Sequence, residues 1–542
     1  MLIVCALLPL REKVAREARR MRGFSCLTLL PTPYCLLPTA YCLLAGPHNL
    51  NIADILHDSA IVARSLADYV TGAGLRVGVT GLSRAGKTVF ITALVHHLTR
   101  LGARNPAEPR RSFPVFRVHA EGRLIGAKLD PQPDDSVPRF AIQDHLAALT
   151  GGEAGPDARH WPQSTRRISE LRLTIEFERA QGWRKGPSSL TLDIVDYPGE
   201  WLLDLPLLAK DYAQWSLETI AASQTAGRAL LAAPWRGFLA SLDTQAPANE
   251  DHARKAAELF THYLRACRQD IYALSTLPPG RFLRPGDMEG SPALTFAPLP
   301  LTPGQVIAPG SLAAMMARRF EAYKTHVVRP FFRDHFSRLD RQIVLIDALS
   351  ALNSGPAAVR DLETAMTDVL SAFRTGRSSL LSTIFRPRID RILFAATKAD
   401  HLHHRSHDRL EAILRLMVER AIARAQEVGA QVDVIALAAV RATREAQVKH
   451  AGQALDAIVG VPLAGETVNG ELFDGKAEAA IFPGELPEDP RRAFRGDGLA
   501  MPESEGDWRF VRFRPPNVAQ GAALPHIRLD RALEFLIGDR LA

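Results

Sequence analysis

Leu75-Arg76-Val77-Gly78-Val79-Thr80, followed directly by Gly81-Leu82-Ser83-Arg84-Ala85-Gly86-Lys87-Thr88, is the stretch that decides the fold. The first six residues predict a short strand, and Ile91, Leu94, Val95 and Leu98 recur behind the second block on one face of a helix. Between strand and helix stands G-x-x-x-x-G-K-[ST], in the context that a phosphate-binding loop requires. Gly81 and Gly86 let backbone N–H groups curl around phosphate oxygens, with Ser83, Arg84 and Ala85 making the turn between them. The helix N-terminus adds its positive end. Lys87 is expected to reach the β- and γ-phosphates, and the Thr88 hydroxyl to take one oxygen position around Mg²⁺.

Three more strands carry chemistry at their ends. Ser189-Leu190-Thr191-Leu192-Asp193-Ile194-Val195-Asp196 runs into Tyr197-Pro198-Gly199-Glu200, a D-x-x-G pattern made by Asp196 and Gly199. An aspartate there is expected to hold a Mg²⁺-bound water, and the Gly199 N–H to sense the γ-phosphate. Asp390-Arg391-Ile392-Leu393-Phe394-Ala395-Ala396 ends in Thr397-Lys398-Ala399-Asp400, the [NT]-K-x-D pattern that reads guanine. The Asp400 carboxylate can accept from both the ring N–H and the exocyclic amine of guanine, whereas adenine offers neither. Lys398 is expected to lay its aliphatic stem over the base. Val432-Asp433-Val434-Ile435-Ala436-Leu437 leads to Ala439 and Val440, a small-residue loop at the position where the base oxygen meets backbone.

With these motifs, and with Arg341-Gln342-Ile343-Val344-Leu345-Ile346-Asp347 as a further strand, the chain resembles the YcjX-like family of bacterial P-loop proteins from about residue 52 onward. The resemblance implies a Ras-like α/β P-loop GTPase domain: a mostly parallel sheet, a large helical insertion and a small strand-rich C-terminal region. It implies GTP/GDP and Mg²⁺ as ligands, and an association with stress responses.

The second Mg²⁺ hydroxyl is expected from Thr165, with Ser164 as the alternative, ahead of the strand Leu171–Phe177. Glu200 stands where Ras-like enzymes place a water-orienting glutamine. A carboxylate beside a triphosphate is repelled unless protonated or paired, and Arg84, Arg166 and Arg167 are the expected partners. Lys87, Glu200 and Arg84 are the candidate catalytic residues, and intrinsic hydrolysis is expected to be slow until a partner orders the loops. The rival readings are an ATPase or P-loop kinase, and a nucleotide-stabilised scaffold without turnover.

The remainder of the chain sets the frame. With 542 residues, 46% apolar and 23% charged, it exceeds a single compact core and excludes a disordered or polytopic membrane class. Residues 1–50 hold four of five cysteines, a tandem Leu-Pro-Thr-x-Tyr-Cys-Leu unit, and six basic against two acidic residues, so they carry +4 of the net +7. They read as a non-native extension or disordered tail rather than an anchor, since Pro31, Pro33 and Pro38 break any spanning helix.

Residues 51–70 read as a surface helix. The expected organisation is 51–200 as the first part of the nucleotide domain, with an inserted, partly mobile loop at 101–165; 201–340 as the helical insertion; 341–460 as the second part; and 461–542 as strands with a closing helix. Met315, Met316, Phe320, Tyr323 and Val327 read as core before partner groove, and the basic, aromatic run from Tyr323 to Arg341 as a positive face over phosphate. His401, His403, His404 and His407 have no cysteine or acidic partner at matched spacing, so they read as non-ligands. The expected partner is an unidentified protein effector, membrane-associated or not, with peripheral membrane contact open and no strong nucleic-acid signal. The expected location is cytoplasmic or peripheral at the inner membrane.

Overall fold

The computed structural model describes residues 74–542 apart from 83, 104–111, 133, 181–185, 226, 270–271, 303, 372–388, 428, 451–452, 469, 495–509 and 520. The readings for 1–50 and 51–70, and for Ser83, fall outside these residues.

Strand β1, Gly74–Gly81, is buried along most of its length and feeds helix α1, Lys87–Arg100. Next come β2 (Leu124–Asp130), α2 (Ile142–Thr150), β3 (Ser169–Glu178) and β4 (Pro187–Asp196). After a long excursion follow β5 (Arg341–Ile346), β6 (Arg391–Ala396) and β7 (Gln431–Ala436). They make one seven-stranded sheet in the order β2-β3-β4-β1-β5-β6-β7. The strands from β4 to β7 in that order are parallel neighbours, while β3 and β2 add antiparallel pairs at one side. Parallel alignment brings the carboxyl ends of β1, β4, β5, β6 and β7 to one edge, where open α/β sheets bind ligands.

Alternation along the strands builds two cores. Val344 and Ile346 of β5 face one, while Ile343 and Leu345 face the other with Val77, Val79, Leu192 and the apolar side of α1. Contrary to the expected loop over 101–165, this segment contains β2 and α2. Leu124–Asp130 finds its hydrogen-bond partners on β3, and Pro131 and Pro138 fall beyond the strand, where they interrupt nothing.

The excursion after β4 starts with 3-10 turns at Gly199–Ala209 and continues through α3 (Tyr212–Ser223), α4 (Ala229–Ala240), α5 (Glu250–Cys267) and α6 (Leu312–Tyr323). Stacked rings hold it together, Trp215 on Phe320 at 4.9 Å and Trp235 on Tyr263 at 5.4 Å. Met315, Met316, Phe320, Tyr323 and Val327 are all buried in this core. The basic run beyond it is used structurally: Lys324 donates to the Lys210 carbonyl, and the fully buried Arg341 pairs with Asp390 and Asp539. For these two cations the expectation of a positive face over phosphate does not hold, since both already have partners.

Helix α7 (Arg329–Asp334) ends the excursion, and α8 (Ala348–Asn353), α9 (Pro356–Ser371), α10 (His407–Met417) and α11 (Glu419–Glu427) flank the sheet. Beyond β7, β8 (Arg444–His450), β9 (Gln453–Gly460) and a later short strand, Ala479–Ile481, form a second sheet with Ile458, Ile481, Val511 and Phe513 as its core. Helix α12, Leu529–Ile537, closes the chain against the α1 side of the main sheet. Among the described residues no helix is long and apolar enough to cross a membrane.

Candidate functional site

Close approach explains the glycines at the carboxyl edge. A Cβ on Gly81 would lie 2.7 Å from the Leu345 carbonyl oxygen, and Gly86 has φ +83°, a conformation that glycine adopts freely. Arg84 also takes a left-handed backbone within the loop. Lys87 and Thr88, opening α1, are both buried, and the Lys87 ammonium donates to the Gly81 carbonyl at 3.0 Å.

Three oxygens converge behind this loop. The Thr165 hydroxyl donates to Asp196 Oδ2 at 2.7 Å and stands 3.3 Å from the Thr88 hydroxyl. Asp196, at the end of β4, is almost fully buried, and its Oδ1 has no hydrogen-bond partner. Burial pushes its carboxyl up to about 6, against the opposing effects of the Lys87 charge, the Thr165 hydroxyl and the Tyr197 N–H. Two hydroxyls and a carboxylate with one oxygen unspent fit a hard divalent cation such as Mg²⁺.

At the neighbouring strand ends, Lys398 has φ +62° and sets its ammonium 2.5 Å from Asp347, at the end of β5. Asp400 is buried; one of its carboxylate oxygens accepts the Ala442 N–H at 2.8 Å, and its carbonyl accepts the Thr443 hydroxyl. A single cavity of about 320 Å³ joins both ends, lined by Arg84–Thr88, Ser164, Thr165, Glu200, Thr397, Lys398, Asp400, Ala439 and Val440 among others. Trp161, Arg512 and Phe513 complete its wall, and no local pattern singles them out.

The YcjX-like family, DUF463, matches residues 75–541. The chain belongs to the YcjX-like family. It is similar to a protein of Escherichia coli K12 named Ras-like GTPase YcjX, 40% identical over 478 residues that cover 86% of this chain and 96% of that one. A protein of the same name from Shewanella oneidensis MR-1 is 34% identical over 505 residues, covering 90% and 98%.

In this YcjX-like chain the segment after the D-x-x-G glycine is clamped between the phosphate loop and the helical insertion. A Cβ on Gly199 would lie 1.7 Å from the Gly81 carbonyl oxygen, so only glycine lets the two backbones touch. On the opposite side, Gly280 of the insertion meets the Glu200 carbonyl just as closely. The Gly280 N–H and the Tyr323 hydroxyl both donate to Asp204, at 2.7 and 2.6 Å, and the Arg281 guanidinium lies 3.2 Å over the Trp201 ring.

Glu200 is buried, and its charge partners are Arg268 at 2.5 Å and Arg284 at 3.7 Å, both from the insertion. Burial raises its carboxyl, but Arg268, then Lys87 and Arg284, outweigh this and hold it below the usual glutamate range. The expected partners were Arg84, Arg166 and Arg167. Arg84 does line the shared wall, with Asp347 as its favourable charge, whereas Arg167 pairs at the surface with Asp287 at 3.2 Å. A second cavity of about 290 Å³ lies between the phosphate loop and the insertion, and Arg84, Glu200 and Arg268 line it.

Proposed function

We propose that this YcjX-like protein binds GTP with Mg²⁺, hydrolyses it slowly and acts as a nucleotide-controlled switch on a protein effector. The observation that carries the reading is the chain of contacts from Thr88 through Thr165 to Asp196, whose other carboxylate oxygen is buried and unpartnered, beside a cavity that Thr88, Thr165 and Asp400 line. The printed name of its relatives, Ras-like GTPase, supports turnover as well as binding.

The two threonine hydroxyls and Asp196 would hold Mg²⁺, which supplies charge neutralisation at the β- and γ-phosphates. Lys87 exchanges its Gly81 carbonyl for phosphate oxygens. Asp400, already oriented by the Ala442 N–H, accepts from the guanine edge, with Lys398 over the base and Ala439 and Val440 along the wall. The Gly199 N–H reports the γ-phosphate, and because Glu200 and Asp204, just beyond it, are in contact with Gly280 and Tyr323, any shift passes to the insertion.

Slow turnover follows from Glu200. To orient water it must leave a buried ion pair with Arg268 and Arg284, a loss of several kcal/mol that an effector has to offset. Single-turnover hydrolysis by the full chain tests this: a rate below about 10⁻² s⁻¹ is expected, and unaided turnover above about 1 s⁻¹ overturns it. The same ion pair favours a second reading, a scaffold that keeps GTP bound and unchanged, and that assay separates the two. The family resemblance supports a stress response as the process. The scarcity of cysteine beyond residue 50, where Cys267 stands alone, supports a cytoplasmic or peripheral membrane location.

A further inference from the structure

Two of the four histidines beyond Asp400 have evident structural work. His407 Nε2 is 2.9 Å from the Ala399 carbonyl, and His401 packs edge-on against Phe513. The other two are arranged differently. His403 and His404 stack with ring centroids 4.3 Å apart, beside Glu445 near the start of β8. Glu445 divides its oxygens between two tasks: Oε1 accepts the His404 backbone N–H at 3.1 Å and faces Arg441 at 3.6 Å, while Oε2 points at both imidazoles. Its distances are 2.8 Å to His404 Nδ1 and 3.8 Å to His403 Nε2.

The geometry points to a transition-metal site of the Zn²⁺ type, with His403 Nε2, His404 Nδ1 and Glu445 Oε2 as ligands and an open position for water. All three donor atoms lie within 4.8 Å of one another. Tetrahedral bonds of about 2.0–2.1 Å would separate neighbouring donors by about 3.3 Å, so small side-chain rotations suffice. A metal-binding imidazole usually donates its second ring N–H to a carboxylate. His403 is nine-tenths buried, its Nδ1 has no hydrogen-bond partner, and that atom faces Asp456 of β9 at 3.9 Å. Two nitrogens with one carboxylate suit a borderline cation, whereas Mg²⁺ prefers the all-oxygen set at Asp196. Arg405, 2.7 Å from Asp456, and Arg441 compete for the two carboxylates, which favours modest affinity. The ion would fasten the turn after Asp400 to the strand that follows Ala442, and thus join two neighbouring loops at the edge of the cavity.

The test uses the untagged full chain, stripped with a chelator, and Co²⁺ as a visible-band probe that Zn²⁺ displaces. One ion per chain is expected, with affinity lowered at least about tenfold in Glu445→Gln and in His404→Ala, the latter a largely exposed side chain whose loss leaves the fold intact. Asp456→Asn should weaken binding while keeping the ligand-field bands, because it acts through His403. Asp196→Asn, which removes the carboxylate of the other site, should leave the Co²⁺ spectrum unchanged. The inference fails if the stripped protein takes up no ion at about 100 μM, or if uptake is the same in His404→Ala. Neither readout involves a nucleotide, so its failure is distinct from failure of the GTP reading.

Discussion

Replacing Asp196 by asparagine separates the cost of the cation site from its use. In the nucleotide-free protein, burial raises the Asp196 carboxyl to about 6 from 3.8, beyond what Lys87, Thr165 and the Tyr197 N–H can offset. At roughly 1.4 kcal/mol per unit, holding it ionised at pH 7.5 costs about 3 kcal/mol of folding free energy. Between about pH 4 and pH 6 the folded protein keeps a proton that the unfolded chain has lost. Stability therefore falls as pH rises through this window, and the full penalty stands above it. Asparagine can still accept from the Thr165 hydroxyl, but it brings an N–H₂ group into a buried place near Lys87 and gives back about 1–2 kcal/mol. The net expectation is a variant more stable than wild type by about 1–2 kcal/mol at pH 7.5, with the gap closing near pH 5. Calorimetry in chelator without nucleotide reads this directly. With GTP and Mg²⁺ the order should reverse, since ligand at about a thousand times Kd adds about 4 kcal/mol to a protein that retains its site. A metal-free Asp196→Asn protein that melts below wild type at pH 7.5 would refute the reasoning.

Asp400→Asn should lower GTP affinity by about a hundredfold, the loss of two hydrogen bonds to a buried carboxylate, and improve binding of xanthosine triphosphate, whose added carbonyl can accept from the new amide. Competition binding with both nucleotides checks it. Gly199→Ala places a methyl 1.7 Å from the Gly81 carbonyl oxygen, so the two backbones must part. GDP binding should survive while the preference for GTP over GDP is lost; equal ratios in variant and wild type would speak against Gly199 as the sensor. Glu200→Gln leaves Arg268 and Arg284 without their buried counter-charge and should cost about 3 kcal/mol, read as a lower Tm.

What was legible in the sequence was local. Gly81 to Thr88, Asp196 with Gly199, and Thr397 to Asp400 are short patterns at strand ends, and parallel strands bring such ends to one edge whatever lies between them. Thr165 was reachable because a lead-in loop of fixed length places it opposite Thr88. The partners of Glu200 were not legible. Arg268 and Arg284 come from a different subdomain, tens of residues away, and nothing in their local sequence distinguishes them from other surface arginines. Glu445 was hidden from the histidines for the same reason, since forty residues and a whole strand intervene. The β2 strand was masked by the prolines that follow it, which drew a loop reading over a segment that pairs along β3.

The central claim is that this cavity selects guanine nucleotides together with Mg²⁺, and displacement of a fluorescent GDP analogue from the purified full chain meets it most directly. GTP and GDP should displace the probe, ATP should fail to do so at about a hundredfold excess, and chelation of Mg²⁺ should weaken GTP binding. Displacement by ATP as effective as that by GTP, or GTP binding indifferent to Mg²⁺, would contradict the roles assigned to Asp400 and Asp196.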